Sequence, residues 1–253
     1  MSPILAAVSP LEAAMLAAGG LVAGVVNTLA GGGSLLSVPL LVLIGLPGTV
    51  ANGTNRIGIL LQNGVAAWRF RAEGIWDVRR ALPELGAVAA GATAGAFVAT
   101  AFLSDRLFER VFAVAMLALL VPTLRRPAAP ATRKEPPAAR LRLPAFFAIG
   151  LYGGALQAGV GILLVFALAW AGYDLVRANG LKVVINFCFT LFAVPVFVLG
   201  GKVDWPPALA LAAGFAAGGE LGARLAVRGG ERLIRPVLAV AVVALAGRML
   251  RLY

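Results

Sequence analysis

Ala30-Gly31-Gly32-Gly33-Ser34-Leu35-Leu36 is followed, after an apolar run, by Ala51-Asn52-Gly53-Thr54-Asn55-Arg56. The second half of the chain says nearly the same thing: Ala158-Gly159-Val160-Gly161-Ile162-Leu163-Leu164, another apolar run, then Ala178-Asn179-Gly180-Leu181-Lys182. The correspondence extends outward. Gly74-Ile75-Trp76-Asp77 answers Gly201-Lys202-Val203-Asp204, Gly91 and Gly95 answer Gly218 and Gly222, and Asp105-Arg106-Leu107 answers Glu231-Arg232-Leu233. The offset is 128 at Ala30/Ala158, 127 at Asn52/Asn179 and 126 at Asp105/Glu231, which marks an internal duplication.

Composition fixes the solvent of this duplicated unit. Of the 253 residues, 60% are hydrophobic and 13% charged, and the mean hydropathy is +0.92. A soluble domain would carry about 25% charged residues. No charge interrupts Leu143–Tyr173 or Val183–Gly201, and such runs are long enough to cross the roughly 30 Å hydrocarbon core. The expected fold is therefore all-α, a polytopic transmembrane helix bundle. The net charge of +11 lies in short loops between apolar spans, without the aromatic interleaving of an RNA surface, so no nucleic-acid partner is expected. No basic residue precedes Arg56, so no cleavable signal peptide is expected. One cysteine, Cys188, and no histidine exclude an internal disulfide, the common zinc sites and a histidine proton relay; no cofactor or metal is expected.

Apolar runs between charges and Pro/Gly breaks predict five segments in each half. In the first half they cover 11–29, 34–46, 50–68, 82–103 and 107–124; in the second, 143–156, 160–172, 177–200, 206–226 and 233–250. The organisation read from them is a first transmembrane repeat at 1–124, a basic cytoplasmic linker at 125–142 rich in Pro, Ala and Arg, and a second repeat at 143–253. Four arginines lie in 69–80, six basic residues in 125–142 and four arginines in 224–235. Placing these inside puts the homologous loops on opposite faces of the membrane, with the N-terminus outside. The two halves are then inverted repeats. Arg248 and Arg251 fit this scheme poorly, and a parallel arrangement of four crossings per half is its competitor.

The segment 34–46 would make roughly 20 Å of helix, too short for a crossing, so each half is expected to open with a broken or re-entrant helix. Gly31, Gly32 and Gly33 form one break, Gly159 and Gly161 the other. Unwound backbone at that depth is tolerated only inside protein or along a wet cavity. A helix starting at Ser34 aims backbone N–H groups and a positive dipole end at the break, which suits an anion. Spaced pairs such as Gly20 and Gly24 read instead as close-packing positions. Asn52, Asn55, Ile59 and Asn63 share one helical face, as do Asn179, Lys182 and Asn186; the repeat aligns Asn55 with Lys182. Arg56 and Lys182 are basic residues well inside apolar segments. They are either an anion receptor or side chains snorkelling to the interface. Asn27 and Gln157 precede the breaks and can bond substrate or unwound backbone. Glu220 is expected to pair with Arg224, and Trp68, Trp76 and Trp205 to sit at the membrane interface.

A duplicated polar break in a hydrophobic chain is the usual trace of a transport site between repeats. Gly31-Gly32-Gly33 with Val38-Pro39-Leu40-Leu41, Gly150-Leu151-Tyr152-Gly153-Gly154, and Arg177-Ala178-Asn179-Gly180-Leu181-Lys182 resemble the TauE/SafE sulfite exporter family over essentially the whole chain. Lys202-Val203-Asp204-Trp205 and Gly222-Ala223-Arg224-Leu225 fit the same resemblance, whereas Asn27-Thr28-Leu29 before the triple glycine departs from the commonest pattern. The resemblance implies a multi-pass permease of a bacterial or archaeal cell membrane. Its substrates would be sulfite, sulfoacetate or related sulfonates, moved outward. An anion channel of the same architecture is the alternative, and an enzyme is not expected. The expected partners are the bilayer, a small anion and a coupling proton or sodium ion, with a homo-oligomer left open.

Overall fold

A computed structural model describes residues 8–74, 78–124 and 137–227. The described residues are helical without a strand: α1 Pro10–Ala30, α2 Ser34–Leu43, α3 Gly48–Ala72, a 3-10 turn Arg79–Ala81, α4 Leu82–Phe102, α5 Asp105–Leu124, α6 Ala139–Ala155, α7 Val160–Trp170, α8 Leu175–Leu199 and α9 Trp205–Val227. Nine of the ten expected segments appear, and the tenth, 233–250, lies outside the described residues, as do 125–136 of the linker and Trp76. One boundary moves. α6 begins at Ala139, so the last four residues assigned to the linker are helical, and Arg142 among them reaches the buried Glu84 of α4 at 3.3 Å.

Local chemistry sets the helix ends. Ser9 caps α1: its Oγ accepts from Glu12 N at 3.2 Å while the Glu12 carboxylate accepts from Ser9 N at 2.9 Å. α1 stops at Gly31, whose φ of +77° is left-handed and glycine-favoured. α2 then turns back along α1, because Gly33 lies against Ala23 and Asn27 while Leu40 lies against Gly19. The first two helices of each half are thus an antiparallel hairpin, with Gly153 against Val160 in the second.

The halves interlock by exchange. α1 packs on α9 and α6 on α4, so each first helix lies on the other half's fourth. The spaced glycines are the reason: a Cβ on Gly214 would strike Ala17 O, and one on Gly91 would strike Phe147 O. Gly20 meets Leu211 and Gly222 meets Val25, so α1 and α9 run parallel. α3 and α8 also touch, and they run antiparallel. Gly53 meets Phe197 and Lys202, Gly64 meets Phe187, and Phe70 shares a cluster with Val183.

The polarity is that of a chain in lipid. Trp68 is 76% exposed, Leu199 88% and Phe102 72%, while the asparagines of α3 are buried. Trp205 is exposed as well, in keeping with an interfacial position. Pro10–Ala30, Arg79–Phe102 and Arg177–Leu199 are long and apolar enough to cross a membrane. The 10 residues of α2 and 11 of α7 give roughly 15 Å each, too short to cross.

Candidate functional site

The tips of the two hairpins meet. A Cβ on Gly31 would fall on the backbone of Gly161, and one on Gly161 on the backbone of Gly31, so only glycine allows this approach. Ser34, the first residue of α2, stitches the tips together. Its hydroxyl donates to Gln157 O at 2.6 Å and accepts from Gly159 N at 3.2 Å. Gly159 takes φ +57° and Gln157, a non-glycine, φ +61°. Gly32 O and Gly33 O accept the first backbone bonds of α2, and Gly33 N donates to Asn27 Oδ1 at 3.4 Å. Neither α2 nor α7 carries a side-chain N-cap. Two positive helix ends therefore adjoin at the junction.

A cation from each third helix braces the opposite hairpin. Arg56 Nη2 donates to Gly154 O at 2.5 Å, Gly153 O at 3.1 Å and, more weakly, Asn52 Oδ1 at 3.4 Å. Its Nη1 donates to Gln157 Oε1 at 2.5 Å, and the guanidinium lies 4.3 Å over the Phe197 ring. Lys182 Nζ donates to Thr28 O at 2.8 Å, Asn27 O at 3.2 Å and Asn179 Oδ1 at 2.6 Å. Helix α1 thus ends on the lysine of α8, and α6 on the arginine of α3. Both cations quench the negative ends of the broken helices.

Burial decides between the two readings of these cations, and their hydrogen bonds shift one pairing of the alignment. Arg56 is 0% exposed and Lys182 1%, so neither snorkels to the interface. The alignment pairs Lys182 with Asn55, the residue before Arg56. The hydrogen bonds instead make Arg56 the counterpart of Lys182, and the site carries one cation from each half.

Of the residues expected to form a site, Asn27, Gly31, Gly33, Ser34, Asn52, Arg56, Gln157, Gly159, Gly161, Asn179 and Lys182 converge on this junction. Gly32 belongs to the same turn. Asn186 joins through Gln157 Nε2, which donates to its Oδ1 at 3.4 Å. Asn55 faces elsewhere: its Oδ1 accepts from Ser37 on α2 at 2.6 Å, and its Nδ2 is buried without an acceptor. Asn63 donates to Ile59 O of its own helix. Glu220 and Arg224 form the expected exposed ion pair, 2.8 Å apart. Sequence reasoning missed Gln62, Thr28 and Ser37. Gln62 accepts from Asn27 Nδ2 at 2.5 Å and donates to Thr28 Oγ1 at 2.7 Å. As an amide inside an apolar span beside Asn63, Gln62 carried the same signal that marked its neighbours.

The electrostatic result at Arg56 is a buried positive charge. Among the described residues Arg56 has no carboxylate partner, and its Nε has no acceptor. A buried guanidinium without a counter-charge is costly unless an anion answers it.

The chain belongs to the sulfite exporter TauE/SafE family, whose signature matches residues 16–249. It is 29% identical over 90% of its length to "Probable membrane transporter protein ORF9" of Sinorhizobium sp, covering 88% of that protein. A "Probable membrane transporter protein" of Haemophilus influenzae is 29% identical, with 87% of this chain and 88% of the relative aligned. "Probable membrane transporter protein YfcA" of Escherichia coli K12 is 26% identical, with 96% and 91% aligned. No solved structure matches.

Proposed function

We propose that this chain is a secondary transporter that exports small sulfur-containing anions, sulfite or organosulfonates such as sulfoacetate, across a bacterial or archaeal cell membrane. The observation that carries the reading is the fully buried Arg56. It lies where two re-entrant hairpins meet and lacks a carboxylate partner among the described residues. Family membership and the names of the relatives support transport as the activity. The positive junction supports an anion as the cargo.

The repeats work as an inverted pair, 1–124 and 143–253 joined by the basic linker. Supporting this, the homologous helices α3 and α8 run antiparallel, whereas repeats related by an axis along the membrane normal would set them parallel. Each hairpin then enters from its own side and the tips meet near mid-membrane. Energy comes from a gradient of protons, sodium or the substrate itself.

Flux of radiolabelled sulfite into proteoliposomes tests the reading. Saturable uptake, accelerated by unlabelled sulfite or sulfoacetate on the far side, is expected. A non-saturating anion conductance would replace the transporter with a channel, and no anion flux at all would overturn both.

A further inference from the structure

We infer that Gln157 Oε1 holds the position on Arg56 that an oxygen of the transported anion takes in turn, so that Gln157 is a displaceable stand-in for substrate. The inference rests on the anion-transport reading and assigns its contact atoms. Both side chains are fully buried, and Gln157 Oε1 is the acceptor of Arg56 Nη1 at 2.5 Å. An amide oxygen supplies a dipole but no charge. A glutamate of the same length would neutralise the guanidinium, yet the chain carries glutamine, which leaves the positive charge for an anion that comes and goes.

The two ends of the amide are held unequally. Against the bond of 2.5 Å to Arg56, Gln157 Nε2 reaches Asn186 Oδ1 at 3.4 Å, a long contact that little resists rotation of the side chain. The backbone at Gln157 is itself left-handed at φ +61°, which a non-glycine residue adopts at a cost; Ser34 Oγ holds it there through Gln157 O. The residue that joins the two tips is therefore the one that occupies the cation.

Displacement leaves Arg56 with donors for more than one oxygen. Nη1 is freed with both of its N–H donors, while the guanidinium stays over the Phe197 ring. An anionic oxygen of sulfite, a sulfonate or a carboxylate makes a charge-assisted bond there, which the neutral amide oxygen does not.

The test is sulfite titration of purified protein, read by thermal shift and by calorimetry. Gln157→Glu places a fixed carboxylate on Arg56: it should melt higher than the parent without sulfite and lose the sulfite response. Gln157→Ala removes the stand-in, so sulfite should bind about tenfold tighter, because the competing internal contact no longer taxes the affinity. Unchanged or weaker binding to Gln157→Ala overturns the inference, as does a parental sulfite response in Gln157→Glu. Should Gln157→Glu fail to fold, the alanine variant decides alone. A parent protein that neither binds nor moves sulfite, sulfoacetate or a carboxylate defeats the transport reading itself, an outcome distinct from the others.

Discussion

Ser34→Ala isolates the contact between the hairpins without touching a charge. The serine is 1% exposed, and its hydroxyl makes one bond as donor, to Gln157 O, and one as acceptor, from Gly159 N. Alanine fits the same space and is the better helix former by roughly 0.5 kcal/mol at the first position of α2, which works against the loss. Single hydrogen bonds between membrane helices average about 0.6 kcal/mol, with a ceiling near 1.7. Two such bonds give about 1.2 kcal/mol. The abandoned Gln157 O and Gly159 N are both buried, and an unsatisfied buried group costs roughly 1–3 kcal/mol. The loss outweighs the propensity gain, and with two groups orphaned a net loss of about 1–5 kcal/mol is expected. Reversible unfolding in mixed detergent micelles measures it. Thr93→Ala is the matched control, since Thr93 is exposed and bonds Ala89 O of its own helix; it should change stability by less than about 0.5 kcal/mol. If Ser34→Ala loses no more than Thr93→Ala, the tips are not held together by this hydroxyl, and the junction is described wrongly.

Other perturbations read separate parts of the design. Lys182→Met leaves Thr28 O and Asn27 O without their ammonium donor; transport should be lost, with a stability loss of about 1–3 kcal/mol in the same unfolding assay. Arg56→Lys keeps the charge but cannot serve Gly153 O, Gly154 O and Gln157 Oε1 in one planar fork, so sulfite affinity by calorimetry should fall at least about tenfold in folded protein. Gly214→Ala drives a methyl into Ala17 O and should separate α1 from α9, lowering stability by about 1–3 kcal/mol. Single cysteines at positions 77 and 204, introduced into a Cys188→Ser background, should label from opposite sides of the membrane. Labelling from one side would remove the inverted arrangement.

The legible part of this protein was local or periodic. Apolar run lengths gave the helices to within a few residues, because each span must satisfy its own backbone in lipid and so shows in the sequence as an uninterrupted stretch. Gly31 and Gly159 announced the breaks because left-handed backbone favours glycine. The duplicated asparagines and the basic residues were marked by their expense in an apolar span. The left-handed Gln157 carried no such mark: nothing about a glutamine foretells φ +61°.

Sequence alone therefore determined an all-helical membrane protein, two glycine breaks between short and long helices, and a polar stripe along each third helix. Tertiary structure decided what that stripe is for. Arg56 finds Gly154 O and Lys182 finds Thr28 O across sequence separations of 98 and 154 residues, and no local pattern encodes such a meeting. An alignment by similarity set Lys182 beside Asn55, yet the cation that matches it is Arg56. Adjacent helical residues point about 100° apart, and which of them reaches a partner depends on where the opposite hairpin ends. The charge of the site follows from that placement, and so does the glutamine that occupies it.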